Sequence, residues 1–375
     1  MRKEQNRDPK HRRIRYAVVG LGYIAQAAVL PAFAHAKENS DLVALVSDDP
    51  TKLRKLSKKY EVSKTYSYEQ YADCLESGEV DAVYIALPNS MHRAYSEAAA
   101  RAGVHVLCEK PMAIDEKECE AMTEAAEQAN VKLMIAYRLH FEKGNLASLA
   151  AVRKGQIGEP RIFSSNFCQQ VAPGNSRLKG ELVAGPIYDL GVYCINAARN
   201  LFGAEPTEVF AFNGTSTDAR FAEVEEMTSG VMRFPKDRLA TFTCSYGAAD
   251  RSAFEVIGTQ GVLKMDPAYE MVGDLKSEIV VGGRSKKTTY PKRDQFAPEL
   301  VYFSDCILKN KQPEPDGREG LADVRVVTTL LDSARKGKAI KVAPVEVGKR
   351  PDQGQEMRKP AVGKELLVDA AAPSR

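Results

Sequence analysis

The sequence predicts a two-domain α/β protein: a doubly wound parallel sheet, then an α+β domain with a large, mainly antiparallel open sheet. Three observations predict it. The chain has 375 residues, too many for one ordinary hydrophobic core. Apolar runs alternate with helical stretches as far as Tyr137, and short alternating strands follow it. We therefore expect domains at 14–137 and 138–345, between a flexible basic leader (1–13) and a mobile tail (346–375).

The first domain contains five continuous apolar runs, at 14–19, 42–47, 81–86, 104–108 and 131–136. Continuous apolar strands separated by helices are typical of a parallel sheet that is covered on both faces. Helix signals lie between the runs, such as the N-cap and first-turn proline of Asp49-Pro50. Pro31 lies in the middle of the expected first helix, so we expect a kink or an early end there.

The second domain shows a different pattern of helices and strands from the first. We expect helices at 145–154 and 188–201, and strands near 161–167 and at 208–213, 228–234, 239–245, 253–258 and 261–265. Short strands joined by turns favour one large antiparallel sheet. A last helical region, 296–310 and 320–335, is expected to pack back on the first domain. The tail holds charges, prolines and glycines but no aromatic residue, hence the prediction that it is mobile.

Composition excludes several classes of protein. The net charge is +3, and residues 1–15 hold seven Lys/Arg against two acidic residues, so the remainder carries −2. A slightly acidic body does not resemble a nucleic-acid-binding surface. The seven cysteines include no CxxC pair, and the five histidines are scattered, so we expect reduced thiols and no metal site.

The start of the chain imitates an export signal, because Arg12-Arg13 precedes an apolar run at 16–30. That run contains two glycines at phosphate-loop spacing, and 14–19 reads better as a first strand. No run reaches the ~18–20 apolar residues that a membrane span needs. We therefore expect a cytoplasmic protein that does not enter a membrane.

The first strand runs into Gly20-Leu21-Gly22-Tyr23-Ile24-Ala25, which has the form G-x-G-x-x-A. Gly20 permits a tight turn, Gly22 lets the backbone approach a pyrophosphate, and a small third residue allows close packing of helix and strand. The N–H groups of the following helix, at Tyr23 and Ile24, can bind phosphate. The context of strand, loop and helix predicts a Rossmann domain that binds NAD or NADP.

The second strand ends at Ser47-Asp48. An acidic residue here commonly binds the adenosine ribose hydroxyls, which favours NAD. Ser47, Lys52 and Arg54 could instead receive a 2′-phosphate, and Asp48 could simply cap the next helix. The sequence leaves the choice between NAD and NADP open.

The strand at 104–108 delivers Glu109-Lys110-Pro111 at its carboxyl end, the edge of such sheets where ligands bind. Partial burial would lower the pKa of Lys110, and its charge could stabilise an oxyanion or a phenolate. Spacing alone also allows Lys110 to be a surface salt-bridge residue.

The chain resembles the Gfo/Idh/MocA oxidoreductases, in particular the glucose–fructose oxidoreductase and aldose dehydrogenase branch, from Ile14 to Val342. The resemblance is carried by AVVGLGYIAQAAVLPAF, DAVYIALPNSMH, VLCEKPMA, KLMIAYRLHFEKGNL and GPIYDLGVYCINAARNLFG.

The resemblance implies that Lys110 contacts the reacting hydroxyl and that Asp189 and Tyr193 hold the other two catalytic positions. Tyrosine at the last position, where most members carry histidine, is typical of the sugar and dihydrodiol dehydrogenases. The remaining implied residues line the cofactor site (Pro88, Asn89, His92 and Glu109) or edge the substrate pocket (Arg138 and His140).

The expected reaction moves a hydride between nicotinamide and a sugar-like alcohol, most simply C1 of a cyclic aldose, giving a lactone. Asp189 and Tyr193 are four residues apart, hence on one helix face. Tyr193 would accept the hydroxyl proton, which requires positive charge nearby, and Lys110 and oxidised nicotinamide can supply it. Asp189 would hold the lysine or bind a second sugar hydroxyl.

The sequence departs from the glucose–fructose enzymes in two ways. Its leader is shorter than their N-terminal arm, which argues against a permanently retained cofactor. Asp48 stands where they have a small residue, which argues against strict NADP preference. Two alternatives are a non-catalytic dinucleotide-binding regulator and a glycosidase with retained NAD. We expect a carbohydrate substrate and a homodimer or homotetramer formed through the second domain.

Overall fold

The computed structural model describes residues 12–182 and 185–374, so most of the predicted leader lies outside the described residues. Its N-terminal sheet is parallel, in the order β3-β2-β1-β4-β5-β6, and this doubly wound arrangement confirms the predicted fold. The strands are β1 (Ile14–Val19), β2 (Ser40–Val46), β3 (Lys64–Tyr66), β4 (Ala82–Ile85), β5 (His105–Glu109) and β6 (Leu133–Ala136). The edge strand β3 was not predicted, because its three residues are polar or only partly buried.

The helices of this domain cover both faces of the sheet. They are α1 (Leu30–Ala32), α2 (Pro50–Tyr60), α3 (Tyr71–Glu76), α4 (Asn89–Arg101) and α5 (Glu116–Gln128). The helix that follows the phosphate loop is irregular around Pro31. It passes from a π-helical turn (Ala25–Val29) through α1 to a 3₁₀ turn (Phe33–His35), where it ends. A proline has no N–H to donate, and the change of helical pitch accommodates that loss.

The second sheet has nine strands in the order β14-β13-β12-β11-β7-β10-β9-β8-β15. The strands are β7 (Pro160–Cys168), β8 (Glu208–Gly214), β9 (Met227–Phe234), β10 (Arg238–Ser245), β11 (Arg251–Gly258), β12 (Gly261–Met265), β13 (Leu275–Val281), β14 (Arg284–Tyr290) and β15 (Ile340–Lys341). Strands β7 and β10 are parallel, and the other paired strands are antiparallel, so the sheet is mainly antiparallel, as predicted. The hairpin of β13 and β14 was not predicted, because β14 reads RSKKTTY, without apolar alternation.

Helices cover one face of this sheet. Those that pack on it are α6 (Lys143–Arg153), α7 (Val192–Phe202) and α9 (Gly317–Lys336), whereas α8 (Ala297–Leu308) packs against β1 and β2 of the first sheet. The last two pack back on the first domain, as expected: α9 lies against α5, and the Tyr16 hydroxyl meets Ser304 of α8 at 2.8 Å. The opposite face of the sheet exposes large apolar side chains, at Ile162, Phe212, Val231 and Leu239.

The C-terminal residues are not the mobile tail that their composition suggested. They form an extended segment that lies along both domains and bonds to each of them. Gln355 donates to the carbonyl of Glu314, Val368 bonds to Gln26, and the carbonyl of Pro373 accepts from Ala172. Composition misled because the charged side chains that suggested disorder are used in ion pairs with the folded body, such as that of Glu365 with Lys59.

In the part of the chain that the structure describes, no helix is long and apolar enough to cross a membrane. Within the same residues, no group of three His, Cys, Asp or Glu side chains is arranged to hold a metal ion.

Candidate active site

The phosphate loop joins β1 to the irregular helix. Gly20 has a φ of +90°, and a Cβ built there would lie 2.6 Å from the carbonyl oxygen of Ala86, so the loop needs glycine at this position. At Gly22, a built Cβ would meet no described atom within 4 Å, so this backbone faces open space. Tyr23 and Ile24 follow in the first helical turn, whose N–H groups have no partner inside the helix. An open glycine beside free N–H groups fits a pyrophosphate.

The residues predicted to bind the adenosine lie at the end of β2. The carboxylate of Asp48 is exposed, and its Oδ1 accepts the N–H of Tyr68 at 2.7 Å. Asp49, not Asp48, caps α2, and the Oγ of Ser47 accepts the N–H of Asp49 at 3.2 Å. Lys52 lies 3.6 Å from the Asp49 carboxylate. The capping alternative for Asp48 is therefore wrong, and its carboxylate is oriented by the Tyr68 amide instead.

Three residues were predicted for the nicotinamide end. Pro88 and Asn89 lie at the start of α4, close to the carboxyl end of β4. His92 has no exposed surface, and its ring nitrogens face two backbone carbonyls, those of Pro111 at 3.0 Å and Leu87 at 2.8 Å. Burial lowers the pKa of His92. His92 therefore does not line the cofactor site as expected, but ties the loop after β4 to the loop that carries Lys110.

Lys110 stands at the centre of the site. Its Nζ lies 2.9 Å from Oδ1 of Asp189, 2.9 Å from the carbonyl oxygen of Asp189, and 4.7 Å from the ring centroid of Tyr193. Asp189 belongs to a π-helical turn (Ile187–Gly191) that leads into α7, where Tyr193 lies. The wider turn leaves the Asp189 carbonyl free to accept the lysine. The three predicted catalytic residues are thus brought together, with the lysine between the other two.

The charge state of Lys110 differs from the expectation. Burial acts to lower its pKa, but the neighbouring Asp189 carboxylate and Tyr193 outweigh burial and raise the pKa above its ordinary value. The position of Lys110 in the sequence indicated burial but not the neighbouring Asp189 carboxylate. The predicted decrease in the pKa of Lys110 was therefore wrong. Lys110 is an ammonium ion throughout the neutral range.

Two residues that sequence reasoning missed complete the site. Oδ2 of Asp189 accepts from Nε of Arg177 at 2.6 Å and from the hydroxyl of Tyr246 at 3.1 Å. Burial acts to raise the pKa of Asp189, but Arg177 and Lys110 lower it far below the ordinary carboxyl range. Arg177 lies in a short 3₁₀ turn (Ser176–Leu178) and Tyr246 follows β10, and no local signal marked either residue. Both carboxylate oxygens of Asp189 therefore have protein partners, and Lys110 is one of them.

Arg138 contacts the hydroxyl of Tyr193 directly. Its Nε donates to the Tyr193 oxygen at 3.2 Å, and its guanidinium carbon lies 5.0 Å from the ring centroid. The other nitrogens donate to the carbonyl of Tyr269 at 2.5 Å and to Oε1 of Gln295. This hydrogen bond fixes the position of the Tyr193 oxygen.

Two further predicted residues are held inside the protein. Glu109 is buried, accepts the Tyr84 hydroxyl at 2.8 Å, and has its pKa raised by burial. His140 is also buried, 2.9 Å from both Oε1 of Glu314 and Oδ1 of Asn196. His140 and Tyr193 line a small, mainly apolar cavity between α6 and α7, so a place at the edge of the substrate pocket stays a prediction for His140.

The fold and this site define an NAD(P)-dependent oxidoreductase that acts on CH–OH groups. The chain belongs to the Gfo/Idh/MocA family. Residues 14–137 match the model of the oxidoreductase family with the NAD-binding Rossmann fold, and residues 146–264 match the GFO/IDH/MocA C-terminal domain.

Similar proteins cover most of the chain. The D-xylose 1-dehydrogenase [NADP(+)] of Haloarcula marismortui is 31% identical over 339 residues, which are 88% of this chain and 93% of that protein. A D-xylose 1-dehydrogenase (NADP(+)) of Haloferax volcanii is 29% identical over 87% of this chain and 99% of its own length. The crystal structure of aldose-aldose oxidoreductase from Caulobacter crescentus is 37% identical, with a TM-score of 0.83, over 88% of this chain and 100% of that one.

Proposed function

We propose that the protein oxidises C1 of a cyclic aldose to the lactone, with NAD(P)⁺ as hydride acceptor. The observation that carries the proposal is the state of Tyr193: Arg138 holds its oxygen, and Lys110 lies against its ring face. With one cation at its oxygen and another over its ring, Tyr193 is the side chain placed to accept the proton of a sugar hydroxyl. Relatives that are named as xylose dehydrogenases and as an aldose-aldose oxidoreductase support the substrate class.

The dinucleotide, when bound, accepts the hydride, and a side chain of the protein accepts the proton. As the C1–H bond breaks, the C1 hydroxyl proton passes to the Tyr193 oxygen, and the C1–O bond becomes the carbonyl of the lactone. Lys110 stabilises negative charge on the reacting oxygen, because its ammonium is fixed next to Tyr193. Asp189 orients that ammonium through two hydrogen bonds.

Lys110 is a poor candidate for the base itself. A general base must be unprotonated before the reaction, and the pKa of Lys110 is raised. This favours Tyr193 as proton acceptor and leaves Lys110 as the electrostatic partner.

The test is a panel of aldoses and polyols assayed with NAD⁺ and with NADP⁺, in which absorbance reports reduced cofactor and NMR identifies the lactone. We expect stoichiometric lactone and reduced cofactor with at least one aldose. If a glycoside is cleaved and no reduced cofactor is released, the glycosidase alternative replaces our proposal. Binding of the dinucleotide without turnover of any sugar would favour the regulator.

The open face of the second sheet supports a homodimer or homotetramer as a further part of the proposal. Phe212 is 68% exposed and lies on the same face as Val231 and Leu239. Exposed large apolar side chains that share one face of a sheet are typical of a surface that another subunit covers. Light scattering of Phe212→Glu should show a smaller species than the natural chain, and an unchanged mass would contradict this interface. A cytoplasmic location stays a prediction.

A further inference from the structure

The C-terminal residues 356–374, here called the C-terminal strap, are anchored to the second domain before they cross the first. Just before the strap, Arg350 donates to Oε1 of Glu205 at 2.7 Å, and Gln355 donates to the carbonyl of Glu314 at 3.2 Å. At the start of the strap, Glu356 lies 3.1 Å from Arg293. These contacts fix the start of the strap, and its later residues take a defined path from that point.

The strap then bonds to the phosphate loop through one buried amide. The side chain of Gln26 is 1% exposed, and its Nε2 donates both to the carbonyl of Leu21 at 2.8 Å and to the carbonyl of Val368 at 2.9 Å. Its Oε1 accepts the N–H of Val368 at 2.7 Å. Leu21 lies between the two glycines of the loop. A single side chain thus joins the strap to the segment that fits a pyrophosphate.

After Val368 the strap crosses to the second domain. The carbonyl of Pro373 accepts the N–H of Ala172 at 2.9 Å, and Ser374 forms a β-bridge with Val171. Five residue steps separate Val368 from Pro373, and an extended chain covers at most about 18 Å over that length. The chain after Ala172 leads to Arg177, which holds the catalytic Asp189. The crossing therefore joins the phosphate loop of the first domain to the segment of the second domain that leads to Asp189.

We propose that the C-terminal strap forms the outer wall of the dinucleotide site, and that the dinucleotide exchanges only when residues 369–374 lift away. Lifting breaks the bonds at Val368 and at Pro373, so it adds a barrier to release. The proposal rests on dinucleotide binding by this family and not on the identity of the sugar. It concerns the rate of cofactor exchange, whereas the short leader argued only against a permanently retained cofactor.

Two proline substitutions test the two ends of the crossing. Val368→Pro removes the N–H that bonds to Gln26, and Ala172→Pro removes the N–H that bonds to Pro373. Leu366→Pro is the matched control, because this strap residue is 89% exposed. Full-length protein is loaded with NADH or NADPH and mixed with excess oxidised nucleotide, and the loss of bound-nucleotide fluorescence gives the release rate.

We expect each test variant to release nucleotide about tenfold faster than the natural chain, the effect of losing roughly one hydrogen bond. The control should stay within about twofold. Release at the natural rate in both test variants would overturn the proposal. Because no sugar is added, this result is independent of whether the protein oxidises an aldose.

Hydrogen exchange on the natural chain provides a second test that needs no variant. Amide exchange of residues 365–374 should slow when NADPH is bound, because the nucleotide beneath the strap would stabilise its closed position. Exchange in this segment that is the same with and without NADPH would contradict the inference, even if the variants fail to fold.

Discussion

The hydroxyl oxygen of Tyr193 accepts a hydrogen bond from Nε of Arg138 at 3.2 Å, although 55 positions separate the two residues in the chain. This contact orients the phenol. Lys110 approaches the same tyrosine from the ring face, 4.7 Å from the centroid. The proposed base therefore has one cation at its oxygen and another over its ring.

Tyr193→Phe should lower kcat by ~10²–10⁴-fold, the usual contribution of a general acid–base residue, with dinucleotide affinity nearly unchanged. Steady-state kinetics and nucleotide titration measure the two quantities. Tyr188→Phe is the control, because the Tyr188 hydroxyl donates to a backbone carbonyl, that of Ile114, at 2.8 Å. If Tyr193→Phe raises only KM and keeps the natural pH–rate profile, Tyr193 orients the sugar and is not the base.

Lys110→Met should reduce kcat at least as much as Tyr193→Phe, because it removes the ammonium that lies beside Tyr193 and would stabilise charge on the reacting oxygen. The double variant should lose much less than the product of the two single losses, since residues that act as one unit are non-additive. If the loss of kcat in the double variant equals the product of the two single losses, Lys110 and Tyr193 act independently.

Asp189→Asn tests, through the pH dependence of kcat, whether the Asp189 carboxylate sets the charge of Lys110. Asp189 has a lowered pKa, so its stabilising effect is present above the ordinary carboxyl pKa of about 4 and is lost as pH falls through the lowered value. Lys110 has a raised pKa, so its effect is present below about 10.4 and is lost as pH rises through the raised value.

Without the carboxylate, burial dominates and the pKa of Lys110 falls, so the alkaline limb of the kcat–pH profile should move to lower pH. The variant also leaves Lys110 and Arg177 without their shared anion, which should cost about 3 kcal/mol of unfolding free energy. An alkaline limb at its natural position would show that Asp189 does not set the charge of Lys110.

Asp48→Ala should shift the ratio of kcat/KM values toward NADP, because it removes a carboxylate that would repel a 2′-phosphate. The control is Asp49→Ala, which removes the cap of α2 and should lower the thermal midpoint without changing the ratio. A ratio that responds equally to both variants would place the effect in the shape of the loop rather than in the charge of Asp48.

Gly22→Val should abolish dinucleotide binding while the chain still folds, because a Cβ at this position meets no described atom within 4 Å. Gly20→Ala should instead destabilise the protein, because its Cβ would lie 2.6 Å from the Ala86 carbonyl oxygen and its φ is +90°. Calorimetry for binding and thermal unfolding for stability separate the two effects. If folded Gly22→Val binds the nucleotide with natural affinity, the pyrophosphate does not bind at this loop.

The sequence by itself determined five of the six strands of the first domain, the phosphate loop, and the place of Lys110 at the carboxyl end of β5. These features depend on apolar periodicity and on motifs a few residues long, which are readable without knowing what packs against them. The same kind of signal was absent for the polar strand β14 and for the short edge strand β3, and both were missed.

The tertiary structure alone decided the electrostatics of the site and the position of the C-terminal strap. The bond of Tyr246 to Asp189 joins residues 57 apart, and that of Gln26 to Val368 joins residues 342 apart. The charge of Lys110 follows from a carboxylate 79 positions away. Such contacts depend on how separate elements pack, and no local pattern encodes them. For the same reason, composition suggested a mobile tail, whereas in the folded chain the C-terminal strap forms hydrogen bonds with both domains.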